Sequence, residues 1–295
     1  MTRVAAVDLG TNSTRLLVAD VEDGAVEEVL RRTVVTRLGE GVDARRRLLP
    51  VPVARVRNVL SDFRREAEAL GAERTLAVAT SAVRDAENGE AFLGEVEWSY
   101  GFATRLLSGE EEAALTRAGV GRVAADTLLL DVGGGSTELV AGDSHISLDI
   151  GSVRLTERHL HGDPPTDDEL TSAAAAVHDL LPALGVRAAL GVAGTVGQLA
   201  VLLGDTTLRL SEIEALLDRL AAMTLDERRG LPGLDPARAP VIVGGALIVR
   251  QVLRRYELNE IEFSVRDLLD GAALAAADLP AEDEGAAPPG AYTCC

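Results

Sequence analysis

The chain has 295 residues, a length typical of about two domains. Of these residues 47% are hydrophobic and 26% charged, a composition typical of a soluble globular protein. All 29 basic residues are Arg, which excludes a lysine nucleophile, a pyridoxal lysine and the Gly-Lys-Ser/Thr phosphate loop. The formal charge of −18 and the aromatic content of 3% argue against binding to nucleic acid.

No apolar stretch is long enough to suggest a membrane span or a signal peptide. The only cysteines, Cys294 and Cys295, are adjacent and belong to a segment rich in Pro, Ala and Gly. Cysteine scarcity is typical of a reducing compartment. We therefore expect a cytoplasmic protein with no membrane partner.

The hydrophobic pattern predicts alternating strands and helices. Residues 4–9 and 14–20 are predicted strands around a tight polar turn, and a hairpin at Gly24 leads into residues 26–38. The next predicted elements are a helix from Pro50 to about Leu70, a strand at 75–79, a helix at 89–100, a strand at 104–107 and a helix at 110–120. They are followed by strands at 127–132, 138–141, 146–150 and 188–192, helices at 166–184, 195–203, 211–223 and 243–256, a segment at 258–263 and a helix at 266–277.

One turn layout occurs twice. Asp8 at the end of the first strand, followed by Gly10 and Ser13, has the same spacing as residues 131, 133 and 136, about 120 residues later. A duplicated strand-turn-strand predicts two similar sheet domains. We expect these domains at 1–121 and 122–278, and a disordered tail at 279–295.

The second turn contains three consecutive glycines, residues 133–135. Such a turn lets the backbone approach a bulky anion, and its successive N–H groups form an anion-binding concavity. Carboxylates of Asp8, Asp131 and Glu138 would suit a hard cation such as magnesium bridging to phosphate. A loose connector with ordinary turn residues is the alternative, and the repetition of the layout disfavours it.

Arg84 follows a predicted strand, where open α/β sheets place ligand contacts, and Arg15 and Arg154 lie near the two turns. The alternative for Arg84 is a surface ion pair with Asp85 or Glu87.

Three glutamates, residues 110–112, begin a helix. One could accept a proton from attacking water, or all could complement the helix dipole. Gly194-Thr195 is a weaker strand-to-helix turn that could bind an anion. The histidine spacing does not predict a zinc site.

These segments resemble the exopolyphosphatase and guanosine pentaphosphate phosphohydrolase family, within the actin, sugar-kinase and heat-shock ATPase superfamily. The matching segments, in family order across residues 3–275, are 8–13, 80–88, 108–113, 131–138, 149–154, 194–195 and 268–271. The resemblance implies an α/β fold of two ribonuclease H-like domains with the active site in the cleft between them.

The resemblance also implies metal-dependent hydrolysis of a terminal phosphoanhydride by in-line attack of water. Glu112, directly before an alanine, matches the family's general base, and Asp8, Asp131 and Glu138 match the residues associated with Mg²⁺ or Mn²⁺. The implied phosphate ligands are Gly10, Thr11, Asn12, Ser13, Arg84, Gly133, Gly134, Gly135 and Ser136. The further expected substrate contacts are Arg15, Glu111, Asp149, Ser152, Arg154, Gly194 and Thr195.

Longer family members carry helical C-terminal domains with no counterpart after residue 277, so we expect a preference for short inorganic polyphosphate. The family suggests a homodimer. One alternative is a guanosine pentaphosphate 5′-phosphohydrolase of the stringent response, and another is a non-catalytic sensor of polyphosphate or alarmone nucleotide. A kinase of the superfamily is disfavoured because a water-activating glutamate suits hydrolysis.

Overall fold

A computed structural model describes residues 1–280; Cys294, Cys295 and most of the predicted tail lie outside the described residues. The strands are β1 Thr2–Leu9, β2 Ser13–Glu22, β3 Ala25–Val35, β4 Arg74–Ala79, β5 Ala103–Leu106, β6 Thr127–Val132, β7 Thr137–Ala141, β8 Ser144–Leu148, β9 Ala188–Val192, β10 Thr207–Arg209 and β11 Glu260–Phe263. The helices are α1 Val42–Arg45, α2 Pro50–Ala69, α3 Ser81–Arg84, α4 Gly89–Tyr100, α5 Gly109–Val120, α6 Ser152–His159, α7 Asp167–Leu180, α8 Ala193–Leu203, α9 Leu210–Ala221, α10 Leu225–Arg229, α11 Ile242–Arg255 and α12 Leu268–Ala277.

The chain forms two compact units. The first comprises Met1–Gly121 and the segment that begins at Leu268, and the second comprises Arg122–Asp267. The C-terminal boundary of the predicted second domain, residue 278, is therefore corrected to residue 267. Helix α12 joins the first unit because its apolar side chains share a hydrophobic core with β1, β2 and β4.

The first unit is a mixed sheet with the strand order β3-β2-β1-β4-β5. Strands β1, β2 and β3 form an antiparallel meander, and β4 and β5 continue the sheet parallel to β1. Successive side chains of a strand point to opposite faces. Accordingly Ala5, Val7 and Leu9 enter a core with α2 and α4, whereas Val4 and Ala6 enter the core with α12.

The second unit repeats this order. Its sheet runs β10-β11-β9-β6-β7-β8, in which β6, β7 and β8 form the antiparallel meander and β9 and β11 are parallel to β6. The short β10 adds an edge strand. Both units therefore have the predicted ribonuclease H-like topology. Helix α11 is buried along most of its length and packs against α6, α7, α8 and α9.

Several short elements escaped the sequence analysis, namely α1, α3, α6, α10 and β10. Of these, α1, α3, α10 and β10 have only three to five residues, too few for a clear hydrophobic period. Helix α7 also ends at Leu180, earlier than predicted, because the residue before Pro182 is sterically disfavoured in a helix.

Parallel strands place their carboxyl ends along one edge of a sheet. In the first unit this edge carries the turn after β1, helix α3 after β4 and the start of α5 after β5. In the second unit it carries the triple-glycine turn after β6 and the start of α8 after β9. Most residues expected to bind substrate therefore lie along these two edges.

Candidate active site

The duplicated turn has the same geometry in both units. Gly10 donates its N–H to the carbonyl oxygen of Ser13 at 3.1 Å, and Gly133 donates to the carbonyl oxygen of Ser136 at 3.0 Å. The repetition predicted from the sequence is therefore confirmed in the backbone.

In the first unit, an adjacent segment holds the carbonyl groups of the turn. Three N–H groups of residues 36–39 bind the carbonyl oxygens of Thr11 and Asn12 at 2.8–3.1 Å. In a trans peptide the N–H points away from the carbonyl of the preceding residue. The N–H groups of Asn12 and Ser13 therefore point away from residues 36–39.

In the second unit, α6 has the same role. Its first three N–H groups bind the carbonyl oxygens of Gly133 and Gly134 at 2.8–3.1 Å. The approach is so close that a Cβ at Gly151 would lie 2.5 Å from the Gly134 backbone. The N–H groups of Gly134, Gly135 and Ser136 find no acceptor within residues 1–280. Because the carbonyls of Gly133 and Gly134 are bound by α6, the N–H groups of Gly134 and Gly135 point away from α6, as successive amides do in anion-binding turns.

The turn in the first unit also has buried side chains. Thr11 Oγ1 hydrogen-bonds to Ser81 Oγ at 2.8 Å, which ties the turn to the start of α3. The Oδ1 atom of the buried Asn12 has no hydrogen-bond partner in the described part of the chain. This amide therefore has hydrogen-bonding capacity for a ligand, for water or for a hydrated cation.

Asp8 lies directly opposite Arg15 in the β1–β2 ladder. Arg15 donates from Nε to Asp8 Oδ2 at 2.9 Å, its Nη2 lies 2.8 Å from the same oxygen, and both side chains are buried. The negative charge of Asp8 thus has a close cationic partner in its own unit.

The corresponding position of the second unit holds two acids. Asp131 pairs with Glu138 in the β6–β7 ladder, and both are buried. Directly opposite residues present their side chains on the same face of a sheet. Ser147 donates to Glu138 Oε1 at 3.0 Å. Two buried carboxylates of like charge at one ladder position offer hard oxygen ligands to a divalent cation.

The three glutamates at the start of α5 have different surroundings. Glu110 is exposed, whereas Glu111 completes a capping box with Ser108. The backbone N–H of Ser108 and the side chain of Arg105 hold the pKa of Glu111 below its usual value. Glu112 is buried, with 7% of its surface exposed. Glu111 thus caps the N-terminus of α5, and Glu112 is the glutamate whose side chain is buried.

Arg84 lies beside Glu112. Its Nη1 donates to the carbonyl oxygen of Leu107 at 2.7 Å and lies 3.5 Å from Glu112 Oε2. Thr116 Oγ1 donates to the carbonyl oxygen of Glu112 at 2.9 Å. The structure therefore brings together the predicted base and the predicted phosphate-binding arginine, and it does not form the alternative pair of Arg84 with Asp85 or Glu87.

Thr195 and Arg154 support the second turn. Thr195 Oγ1 donates to the carbonyl oxygen of Val132 at 2.6 Å and so fixes the end of β6. The buried Arg154 forms an ion pair with Asp149, whose carboxylate also lies 3.7 Å from Arg158. The Ser152 hydroxyl donates to the carbonyl oxygen of Gly133 at 3.2 Å.

Two residues near Gly194 were missed in the sequence analysis. The guanidinium of Arg238 covers Gly194 so closely that a Cβ there would lie 2.5 Å from Arg238 Nη1. Ala193 has a φ of 59°, a left-handed conformation that is uncommon for alanine and concentrates at functional sites. Nothing in the local sequence marks Arg238, because its neighbourhood arises from the packing of distant segments.

Residues 17–278 match the model of the Ppx/GppA phosphatase family. The chain belongs to this family. Exopolyphosphatase 2 of Mycobacterium tuberculosis is 39% identical over 316 aligned positions, which cover 94% of this chain and 99% of that protein. Exopolyphosphatase 1 of Mycobacterium bovis is 31% identical, with 95% of this chain and 90% of that protein covered.

Solved structures of Ppx/GppA proteins have the same fold. An exopolyphosphatase-like protein superimposes with a TM-score of 0.86 at 33% identity, covering 93% of this chain and 97% of the other. The Aquifex aeolicus PPX-GPPA enzyme gives a TM-score of 0.75 at 29% identity, covering 93% and 99%. The predicted family and fold are therefore confirmed.

Two further features bear on this Ppx/GppA member. Within residues 1–280, no helix combines the length and apolar character needed to cross a membrane. In the same residues, no three Asp, Glu, His or Cys side chains group closely enough to hold a metal ion. The pair Asp131 and Glu138 nevertheless fits Mg²⁺, which usually binds one or two carboxylates and completes its shell with water and substrate phosphates.

Proposed function

We propose that this protein is an exopolyphosphatase that releases orthophosphate from the end of short inorganic polyphosphate. One observation carries this proposal. In both units a glycine-containing turn has its carbonyl groups bound from one side, so that its amides point the other way. Turns of this kind suit the linked anions of a polyphosphate chain.

Glu112 is proposed as the general base. It would accept one proton of the attacking water while a new phosphorus–oxygen bond forms and the terminal anhydride bond breaks. The products are orthophosphate and a polyphosphate chain shorter by one phosphate unit. Arg84, fixed between Leu107 and Glu112, would orient the carboxylate and bind a phosphate oxygen.

Magnesium or manganese is the proposed cofactor. A bound divalent cation would neutralise developing charge on the phosphate oxygens. Asp131 and Glu138 are the proposed ligands, because they lie opposite each other and carry hard oxygen donors. Asp8 is the weaker candidate because Arg15 already offsets its charge.

The central experiment measures orthophosphate release from short polyphosphate with Mg²⁺. Glu112→Gln should lower kcat by about 10² to 10⁴-fold, the usual contribution of a general base. Glu111→Gln is the matched control, because this neighbouring acid caps the helix, and should retain most of the activity. Equal loss in both variants, or equal activity of Glu112→Gln and the unmodified protein, would contradict the assignment.

Guanosine pentaphosphate serves as the competing substrate in the same assay. A higher kcat/KM for guanosine pentaphosphate than for polyphosphate of every length tested would identify guanosine pentaphosphate as the preferred substrate. Tight binding of either compound with no turnover would instead establish a sensor. The curated relatives named exopolyphosphatase support polyphosphate as the first choice.

We also propose a cytoplasmic location and a homodimer, with no nucleic-acid or membrane partner. The location follows from the scarcity of cysteine, and the dimer follows from the family resemblance. Light scattering of the purified protein would measure the oligomeric state.

A further inference from the structure

Three consecutive arginines span the end of α1 and the start of its connection to α2: Arg45 is the last residue of α1, and Arg46 and Arg47 follow it. All three are exposed, and none of their guanidinium groups forms an ion pair or hydrogen bond with residues 1–280. Of the acids near the cluster, Glu40 is bound by Arg55 at 2.6 Å, and neither Asp43 in α1 nor Glu87, whose N–H binds the Arg46 carbonyl oxygen, forms an ion pair with the three arginines. A cationic patch of this kind is unusual on a chain with a net charge of −18.

The backbone of Arg46 has a conformation that favours glycine. It ends α1 with a φ of 52° and a ψ of 32°, in the left-handed region, and its N–H binds the carbonyl oxygen of Val42 at 2.8 Å. A glycine at this position would avoid the steric cost imposed by a Cβ. Arg46 therefore carries its side chain at a position where glycine would be less strained.

The arginine cluster is attached to the candidate site of its own unit on one side. The carbonyl oxygen of Arg46 accepts the N–H of Glu87 at 2.8 Å, three residues after Arg84. The backbone N–H of Leu48 donates to Asn88 Oδ1 at 2.8 Å, and Asn88 Nδ2 donates to the carbonyl oxygen of Leu48 at 3.1 Å. These bonds fix the cluster beside the Arg84 segment.

The other side of the cluster leads to the first turn. The N–H of Val42 binds the carbonyl oxygen of Gly39 at 3.0 Å, and the N–H of Gly39 binds the carbonyl oxygen of Thr11 at 2.8 Å. A short chain of hydrogen bonds therefore links the arginines to the phosphate-binding turn. Their position in the unit is set by the same contacts that orient the turn.

We infer that Arg45, Arg46 and Arg47 form a subsite for phosphates of the polyphosphate chain that lie beyond the reacting end. This inference rests on the proposed function and adds a substrate-length dependence to it. Guanidinium groups bind phosphate oxygens through paired, charge-assisted hydrogen bonds. Chains too short to reach the cluster gain nothing from it, and affinity rises with length only until the cluster is occupied.

The test compares Arg46→Gly and the triple variant Arg45→Ala, Arg46→Gly, Arg47→Ala with the unmodified protein. The substrates are tripolyphosphate and a longer, size-fractionated polyphosphate. Arg65→Ala is the control, because Arg65 is an exposed arginine near the far end of α2, about 20 Å along the helix from the cluster.

For the longer substrate, KM should rise roughly threefold in Arg46→Gly and on the order of tenfold or more in the triple variant, as expected for exposed charge pairs. The KM for tripolyphosphate and kcat should remain unchanged. The differences in KM between the variants and the unmodified protein should narrow at high salt, because exposed charges are screened. The melting temperature of Arg46→Gly should be unchanged or raised by up to about 2 °C. A merely structural role would move stability and not KM.

An unchanged KM for the longer substrate in the triple variant would overturn the subsite. So would an equal rise for tripolyphosphate, or equally strong competition by single-stranded DNA of similar charge. If the unmodified protein hydrolyses no polyphosphate, the proposed function fails separately. In that case, binding of the longer polyphosphate to the unmodified protein and to the triple variant is measured directly. Loss of binding in the triple variant would support the subsite, and equal binding would overturn it.

Discussion

Gly271 in α12 packs against α5, the helix that carries the candidate base Glu112, and a substitution at Gly271 tests how this contact positions the base. A methyl group at Gly271 would overlap the carbonyl oxygen of Leu115 in α5 and lie 2.6 Å from its carbonyl carbon. Ordinary carbon–carbon contacts are about 3.5–4.0 Å, so α5 must retreat by about 1 Å in Gly271→Ala. Glu112 lies on α5, one turn before Leu115.

The size of the effect follows from this overlap. Inserting a methyl group into a packed interface costs about 1–3 kcal/mol, and the higher helix propensity of alanine offsets up to about 1 kcal/mol. We therefore expect Gly271→Ala to lower the free energy of unfolding by about 1–2 kcal/mol. Misplacement of a catalytic group by about 1 Å can cost 10²-fold in rate, so kcat should fall by at least about tenfold.

Urea denaturation followed by circular dichroism measures the stability, and orthophosphate release measures kcat. Gly94→Ala is the matched control, because Gly94 lies within α4 of the same unit and a Cβ there meets no atom within 4 Å. That variant should be as stable as the unmodified protein, or more stable, with normal kcat. Equal stability and equal kcat in both variants would refute the close packing of α12 on α5.

Three further predictions concern acidic residues. Arg15→Met removes the cation facing the buried Asp8 and should lower the free energy of unfolding by about 3–5 kcal/mol in urea denaturation; a loss under about 1 kcal/mol would indicate a surface-like pair. The pKa of Glu111 lies below its ordinary value of 4.5, so its stabilising contribution is present above about pH 4.5 and is lost as the pH falls through the folded-state pKa. Glu111→Gln should therefore show a shallower loss of stability at acid pH, and an unchanged slope would contradict this. Glu138→Gln should raise the Mg²⁺ concentration for half-maximal activity by at least about tenfold, and no shift would exclude Glu138 as a ligand.

Features that depend on near neighbours in the chain could be predicted from the order of the amino acids. The two turns could be predicted because strand, Asp, glycine turn and strand are contiguous, and each turn is closed by a hydrogen bond between residues three apart. The ribonuclease H-like topology of both units followed from a resemblance carried by several such segments in order. These predictions succeeded because local conformation and local hydrogen bonding depend on only a few adjacent residues.

The distant groups that complete these turns could be identified only in the folded chain. Residues 36–39 and the start of α6 bind the turn carbonyls, and Arg84 lies beside Glu112, which the family resemblance had already singled out. The tertiary structure also assigned α12 to the first unit, although α12 follows the second unit in the chain. Hydrophobic burial and backbone hydrogen bonding reward proximity in space regardless of separation in sequence, and no local pattern records that proximity.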